Sequence, residues 1–208
     1  GEEIDIHCGG VDNIFPHHEN EIAQSEAYLG KKWVKSWVHG EHLNLKEGKM
    51  SKSKGHKFTI SALEEKGYKA EHCRYLFLTA HYRTQLIFSY ENLDNARNTY
   101  NNLVKKIKEF KAGGGENLNR GKLSDYIAEF NNYLFDDLNA PRALATMWTV
   151  IKDSELSDKD KLDFLANAED VFSLGMTEIE VDEAVEIPAE IQILLQDRAT
   201  ARELRDFA

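Results

Sequence analysis

The stretch Ile4-Asp5-Ile6-His7-Cys8-Gly9-Gly10-Val11-Asp12-Asn13-Ile14-Phe15-Pro16-His17-His18-Glu19-Asn20-Glu21 decides how the rest of the 208-residue chain is read. Its first four residues alternate apolar and polar as a short strand does, and Gly9-Gly10 ends that strand in a turn. Pro16 suits the first position of a helix, where its missing N–H costs nothing, and Gly30 supplies a stop just past Leu29. The pattern predicts a strand, a glycine turn and a helix over about residues 16–29. In open parallel sheets such turns stand at the carboxyl ends of strands, where nucleotides bind, and an acid placed like Asp12 can accept hydrogen bonds from ribose hydroxyls. The plainer alternative for Asp12 is a solvated loop carboxylate.

Outward from this unit, Trp33 to Val38 reads as a second strand, and Leu43 to Lys49 as a hairpin turning at Glu47-Gly48. Residues 46–57 hold five lysines and no apolar face to bury, which makes them a solvent-accessible loop. Ser61 is placed to cap a helix through Lys66, and Glu71 to Ala80 reads as another. Leu93, Ala96, Tyr100, Leu103, Ile107 and Phe110 recur every three or four residues, the stripe of a long amphipathic helix. Gly113-Gly114-Gly115 interrupts it. Beyond lie four further helices: one capped by Ser124, one opened by Asn139 and Pro141, one running from Ser157 to Gly175, and one over Pro188 to Phe207.

Composition narrows the function classes. With 41% hydrophobic and 30% charged residues the chain is an ordinary globular protein, and its apolar runs fall far short of the roughly 18 residues that span a bilayer. Two cysteines and no basic, apolar leader point to the cytoplasm. The net charge of −10 is unevenly spread. Residues 1–60 hold 8 Lys/Arg against 9 Asp/Glu, residues 61–111 hold 9 against 6, and residues 112–208 hold 9 against 21. Six of the eight histidines lie in the first 60 residues, so the chemistry is expected there and scaffolding after it.

His17 and Glu21 are four residues apart and share one helix face, so both can reach one metal ion. Two ligands make half a zinc site, and a solvated first turn is the alternative. Cys8 is not assigned as a third ligand: it sits in the glycine turn, where a small side chain filling space beside the strand accounts for it.

Lys49-Met50-Ser51-Lys52-Ser53 is far more specific. It matches the KMSKS loop of class I aminoacyl-tRNA synthetases letter for letter, and Ile6 to Gln24 resembles the cysteinyl-tRNA synthetase family within that class. Phe135 to Leu144 is similar to the opening of a helix in the family's helical domain, and the likeness weakens after about Lys152. The resemblance implies an α/β Rossmann-type fold, of which this chain holds the C-terminal portion, followed by a mainly α-helical bundle. Residues 1–57 would belong to the catalytic domain, 58–89 to a connecting stem-contact region, and 90–208 to a tRNA-binding bundle.

The resemblance also implies a reaction: cysteine and ATP, the latter with Mg2+, give cysteinyl-adenylate, and the cysteinyl group then passes to tRNA(Cys). Lys52 would stabilise the charge building toward pyrophosphate, Lys49 would assist, and Asp12 would hold the ATP ribose. His17 and Glu21 match two zinc ligands of the family, and zinc suits the substrate because a coordinated thiol binds as thiolate. Selectivity against serine then needs no editing site. The family's other two ligands are cysteines found in neither Cys8 nor Cys73, and its His-x-Gly-His motif is absent from this sequence. The chain thus reads as a monomeric, soluble fragment that binds zinc weakly and lacks activity by itself. Rival readings are a cysteine ligase of the same family with an amino-sugar acceptor, a non-catalytic RNA-binding module, and a metalloprotease. The last lacks the paired histidines that zinc proteases place at i and i+4.

Overall fold

In the computed structural model, which describes residues 2–45, 59–113, 118–181 and 198, Ile4–Gly10 forms strand β1 and Val34–Gly40 forms β2. The two pair in parallel, with His7 opposite Trp37 and Gly10 opposite Gly40, so both carboxyl ends reach the same edge. Parallel strands need a crossover, and helix α1 (Glu19–Leu29) supplies it. That helix begins at Glu19 instead of Pro16. Phe15 is extended at φ −131° and ψ 131° inside an irregular turn over Ile14–His18, because the residue before a proline is pushed out of the helical region. Gly30 ends α1 in the left-handed region at φ 65°, where a Cβ is disfavoured.

The turn and second arm of the hairpin expected over Leu43 to Lys49 lie outside the described residues, and the first arm has a partner elsewhere. Strand β3 (Leu43–Leu45) pairs in parallel with β4 (Leu86–Phe88) far along the chain. Phe88 is buried in the core and anchors β4, and Leu43 and Leu45 pack against the same core. Burial on a shared core accounts for this long-range pairing.

Between and after these strands come α2 (Ile60–Glu64), α3 (Ala70–Leu78), α4 (Tyr90–Ala112), α5 (Arg120–Phe135), α6 (Ala140–Lys152) and α7 (Asp158–Phe172). Helix α4 matches the predicted stripe, with Leu93, Ala96, Tyr100, Leu103, Ile107 and Phe110 all buried. Two caps differ from expectation. Thr59, not Ser61, accepts the Ala62 N–H, and Asn119, not Ser124, accepts the Lys122 N–H. Helix α5 starts a turn earlier because Leu123 reaches the core, which leaves Ser124 exposed within it. Ser157 caps α7 as predicted, in a reciprocal pair with Asp160. Helix α7 stops at Ser173, φ 49°, before Gly175, since the Glu169 carboxylate accepts the next three backbone amides. The helix predicted over Pro188–Phe207 falls outside the described residues apart from Arg198.

One apolar core runs from Leu63 through α3, α4, α5, α6 and α7 to Met176. Phe130 stands at its centre, fully buried, and meets Phe164 and Phe172 edge-on at 5.5 and 5.3 Å. No described helix is long and apolar enough to cross a membrane.

Candidate functional site

The face of the β1–β2 pair that carries His7, Trp37 and His39 gathers the histidines that composition placed early in the chain. Alternation along β1 puts His7 and Gly9 on this face and Cys8 on the other, where it opens into a separate cleft. His18 closes the cluster from the turn before α1; it is buried, and its Nδ1 lies 2.8 Å from His39 Nε2, a bond in which one ring must donate. Burial holds the His18 imidazole below its usual pKa, against the opposing pull of Glu21. The His7 ring stands edge-on to both His18 and Trp37, 4.9 and 4.8 Å between centroids.

Glu21 lies between two imidazoles. His17 Nε2 is 3.4 Å from Oε1, the i, i+4 pair expected from spacing, and His7 Nε2 is 3.1 Å from Oε2. Although His7 is close, Oε2 is buried and takes no aligned hydrogen bond. Among the described residues His7, His18 and Glu21 also converge, each offering one ligand atom within 4.8 Å of the others. Imidazole nitrogens around a carboxylate oxygen with an unspent lone pair form a donor set that suits zinc. Sequence reasoning singled out His17 and Glu21 and did not assign His7, His18 or His39. The signal that could have found them was the parallel register, which sets His7 beside Trp37 and Gly9 beside His39.

Asp12 sits in the short turn Val11–Asn13 at the tip of β1, with its side chain largely exposed. His42, just past the tip of β2, brings Nε2 to 3.9 Å from Asp12 Oδ1. A cleft of about 1000 Å³ opens beside these tips, lined by Cys8, Gly9, Gly40 and His42 on one side and by α3, the 80–84 segment and the start of α6 on the other. Carboxyl ends of parallel strands beside a cleft are where such sheets bind ligands. Lys49 and Lys52 lie outside the described residues. Cys73 is buried in the core, where burial raises its thiol pKa, so it serves as packing.

Crossover-linked parallel strands with a cleft at their tips place the chain among α/β proteins of Rossmann type. Residues 1–98 match the family model described as the tRNA synthetases class I (C) catalytic domain. Known folds agree: the chain is similar to a LeuRS–tRNA–LeuAMS ternary complex of Agrobacterium radiobacter K84, with a TM-score of 0.58 and 15% identity over 84% of this chain and 26% of that one. It is also similar to the Mycobacterium tuberculosis methionyl-tRNA synthetase bound by methionyl-adenylate, with a TM-score of 0.53 and 20% identity over 83% and 39%.

Curated relatives are nearer. The cysteine–tRNA ligase of Treponema denticola is 37% identical over 97% of this chain and 46% of its own length, and that of Methanosarcina acetivorans is 38% identical over 100% and 46%. The chain belongs to the cysteine–tRNA ligase family. It spans a little under half the length of these relatives.

Proposed function

We propose that this chain works within a cysteine–tRNA ligase, which activates L-cysteine with ATP and Mg2+ and transfers it to tRNA(Cys). The observation that carries the reading is the meeting of His17, from the turn before α1, with Glu21 Oε1, while the buried Oε2 of the same carboxylate takes no aligned hydrogen bond. A zinc ion held by His17 and Glu21, with further ligands from outside this chain, would supply an acid that binds the substrate thiol as thiolate. Asp12 accepts hydrogen bonds from the ATP ribose. Lys52 lies against the triphosphate and lowers the barrier electrostatically, and Lys49 assists. Residues 1–57 complete the catalytic domain, residues 58–89 contact the acceptor stem, and the bundle from residue 90 lies along the tRNA with its acidic side turned away. The ligase is monomeric and cytoplasmic.

Cysteine-dependent ATP–pyrophosphate exchange and tRNA aminoacylation test this, on the 208-residue chain and on the same chain extended to the length of its relatives. The extended protein should catalyse both and hold one zinc tightly; the 208 residues alone should do neither. Lys52→Ala in the extended protein should lower kcat of the exchange by about 10²-fold or more, with little change in cysteine binding. Cysteine transfer to an amino sugar but not to tRNA, or RNA affinity with no response to ATP, would overturn the reading.

A further inference from the structure

The turn between α5 and α6 takes a backbone conformation that residues other than glycine seldom adopt. Asp137 and Leu138 both take left-handed backbone conformations, φ 56° and 55°, and Leu138 leaves its side chain 59% exposed. A left-handed leucine is costly and persists only where the surroundings over-determine it. The bonds from Leu138 N to Leu134 O and from Asn139 N to Tyr133 O close the end of α5 without using the Asp137 side chain. That carboxylate is instead committed to a distant segment. Tyr82 Oη donates to Oδ1 at 2.6 Å, and Arg83 Nε pairs with Oδ2 at 2.7 Å. His81 adds a third tie: its Nδ1 accepts the Arg83 N–H, which leaves Nε2 to donate to the Asp137 carbonyl at 2.9 Å.

Such exposed ion pairs contribute little to stability, so their role is better sought in what they hold in place. The segment they grip is bonded to the strand tip. Glu41 N–H donates to Tyr82 O at 2.7 Å, and Leu86 N–H donates to His42 O at 3.3 Å. His42 in turn faces Asp12. A continuous run of contacts thus joins a turn of the helical bundle to the strand tips where the nucleotide is placed.

We propose that Asp137 is a positioning residue for the nucleotide: by fixing Tyr82 it sets Glu41 and His42 at the β2 tip, and so the surroundings of Asp12. The inference rests on the role given to Asp12 above. It makes the α5–α6 turn the point at which the bundle, and whatever docks on it, bears on ATP binding without touching ATP.

The test is cysteine-dependent ATP–pyrophosphate exchange in the chain extended to the length of its relatives. Asp137→Asn and Tyr82→Phe should each raise the KM for ATP about three- to tenfold while the KM for cysteine and the thermal midpoint stay nearly unchanged. The double variant should be no worse than the more severe single one, since both cut the same link. Asp163→Asn, elsewhere on the bundle surface, should leave the ATP KM unaltered. Tyr82→Phe removes one exposed hydroxyl and carries the test should Asp137→Asn fold poorly. An unmoved ATP KM in Tyr82→Phe, effects that add as if independent, or an equal rise in the cysteine KM would overturn the inference while leaving the ligase reading intact. Absence of exchange in the unsubstituted protein would overturn both.

Discussion

A Cβ at position 9 would stand 2.5 Å from His18 Cε1 and 2.9 Å from its Nε2, so the histidine cluster is packed against a backbone that has no room for a side chain. Gly9, expected as the start of a turn, lies within β1, which runs on to Gly10, and serves close approach. Gly9→Ala should cost about 1–3 kcal/mol, because the ring it displaces is buried and hydrogen-bonded to His39. Urea denaturation measures the loss, and imidazole NMR should show the His18–His39 bond disturbed. Unchanged stability would mean that the ring swings aside freely. Cys8, one residue earlier and not assigned as a ligand from the sequence, lies on the other face, because strand alternation turns its side chain away from His7.

Among elements, the junction of α5 with α6 and α7 carries two separable contributions. Phe130→Ala should cost about 3–5 kcal/mol, since the ring is fully buried and makes two edge-on aromatic contacts that a cavity would remove. Equilibrium denaturation reads this directly. The second contribution depends on pH. Asp153, just past α6, accepts from Lys122 Nζ at 2.6 Å and from Tyr126 Oη at 2.8 Å, both on α5. The Lys122 bond foremost lowers its pKa from 3.8 to about 2. A carboxylate depressed by folding stabilises the native state above its unfolded pKa and loses that contribution as pH falls through the folded one. The stability gap between the wild-type chain and Asp153→Asn should therefore be constant above about pH 5 and close as pH approaches 2. A gap that does not vary with pH would show that the pair is geometric only.

At the scale of the molecule, stability is unequally shared. The core cluster spans Leu63 to Met176, whereas the only fully buried side chains between residues 2 and 45 are His18 and Val34, and Ile6, Phe15 and Tyr28 stand exposed. Amide hydrogen exchange should accordingly be faster in β1 and β2 than in α4 and α6, because local opening is cheapest where least apolar surface is buried. Equal protection throughout would indicate one cooperative unit. The site thus sits on the less protected part of the chain and is tied through Tyr82 to the more protected part.

Sequence alone determined the succession of strand, turn and helix, the stripe that becomes the inner face of α4, the Ser157 cap, and the pairing of His17 with Glu21. Each depends on spacing over a short run of residues, where local backbone geometry repeats every two or 3.6 residues. Tertiary structure decided the rest. Leu43–Leu45 pairs with Leu86–Phe88 because both strands pack on the one core, and α5 begins before Ser124 because Leu123 has a core to enter. His7, His18 and His39 meet because parallel register and a crossover helix bring them to one face. No periodicity encodes those meetings, since they depend on contacts between segments whose separation in sequence carries no information about their distance in space.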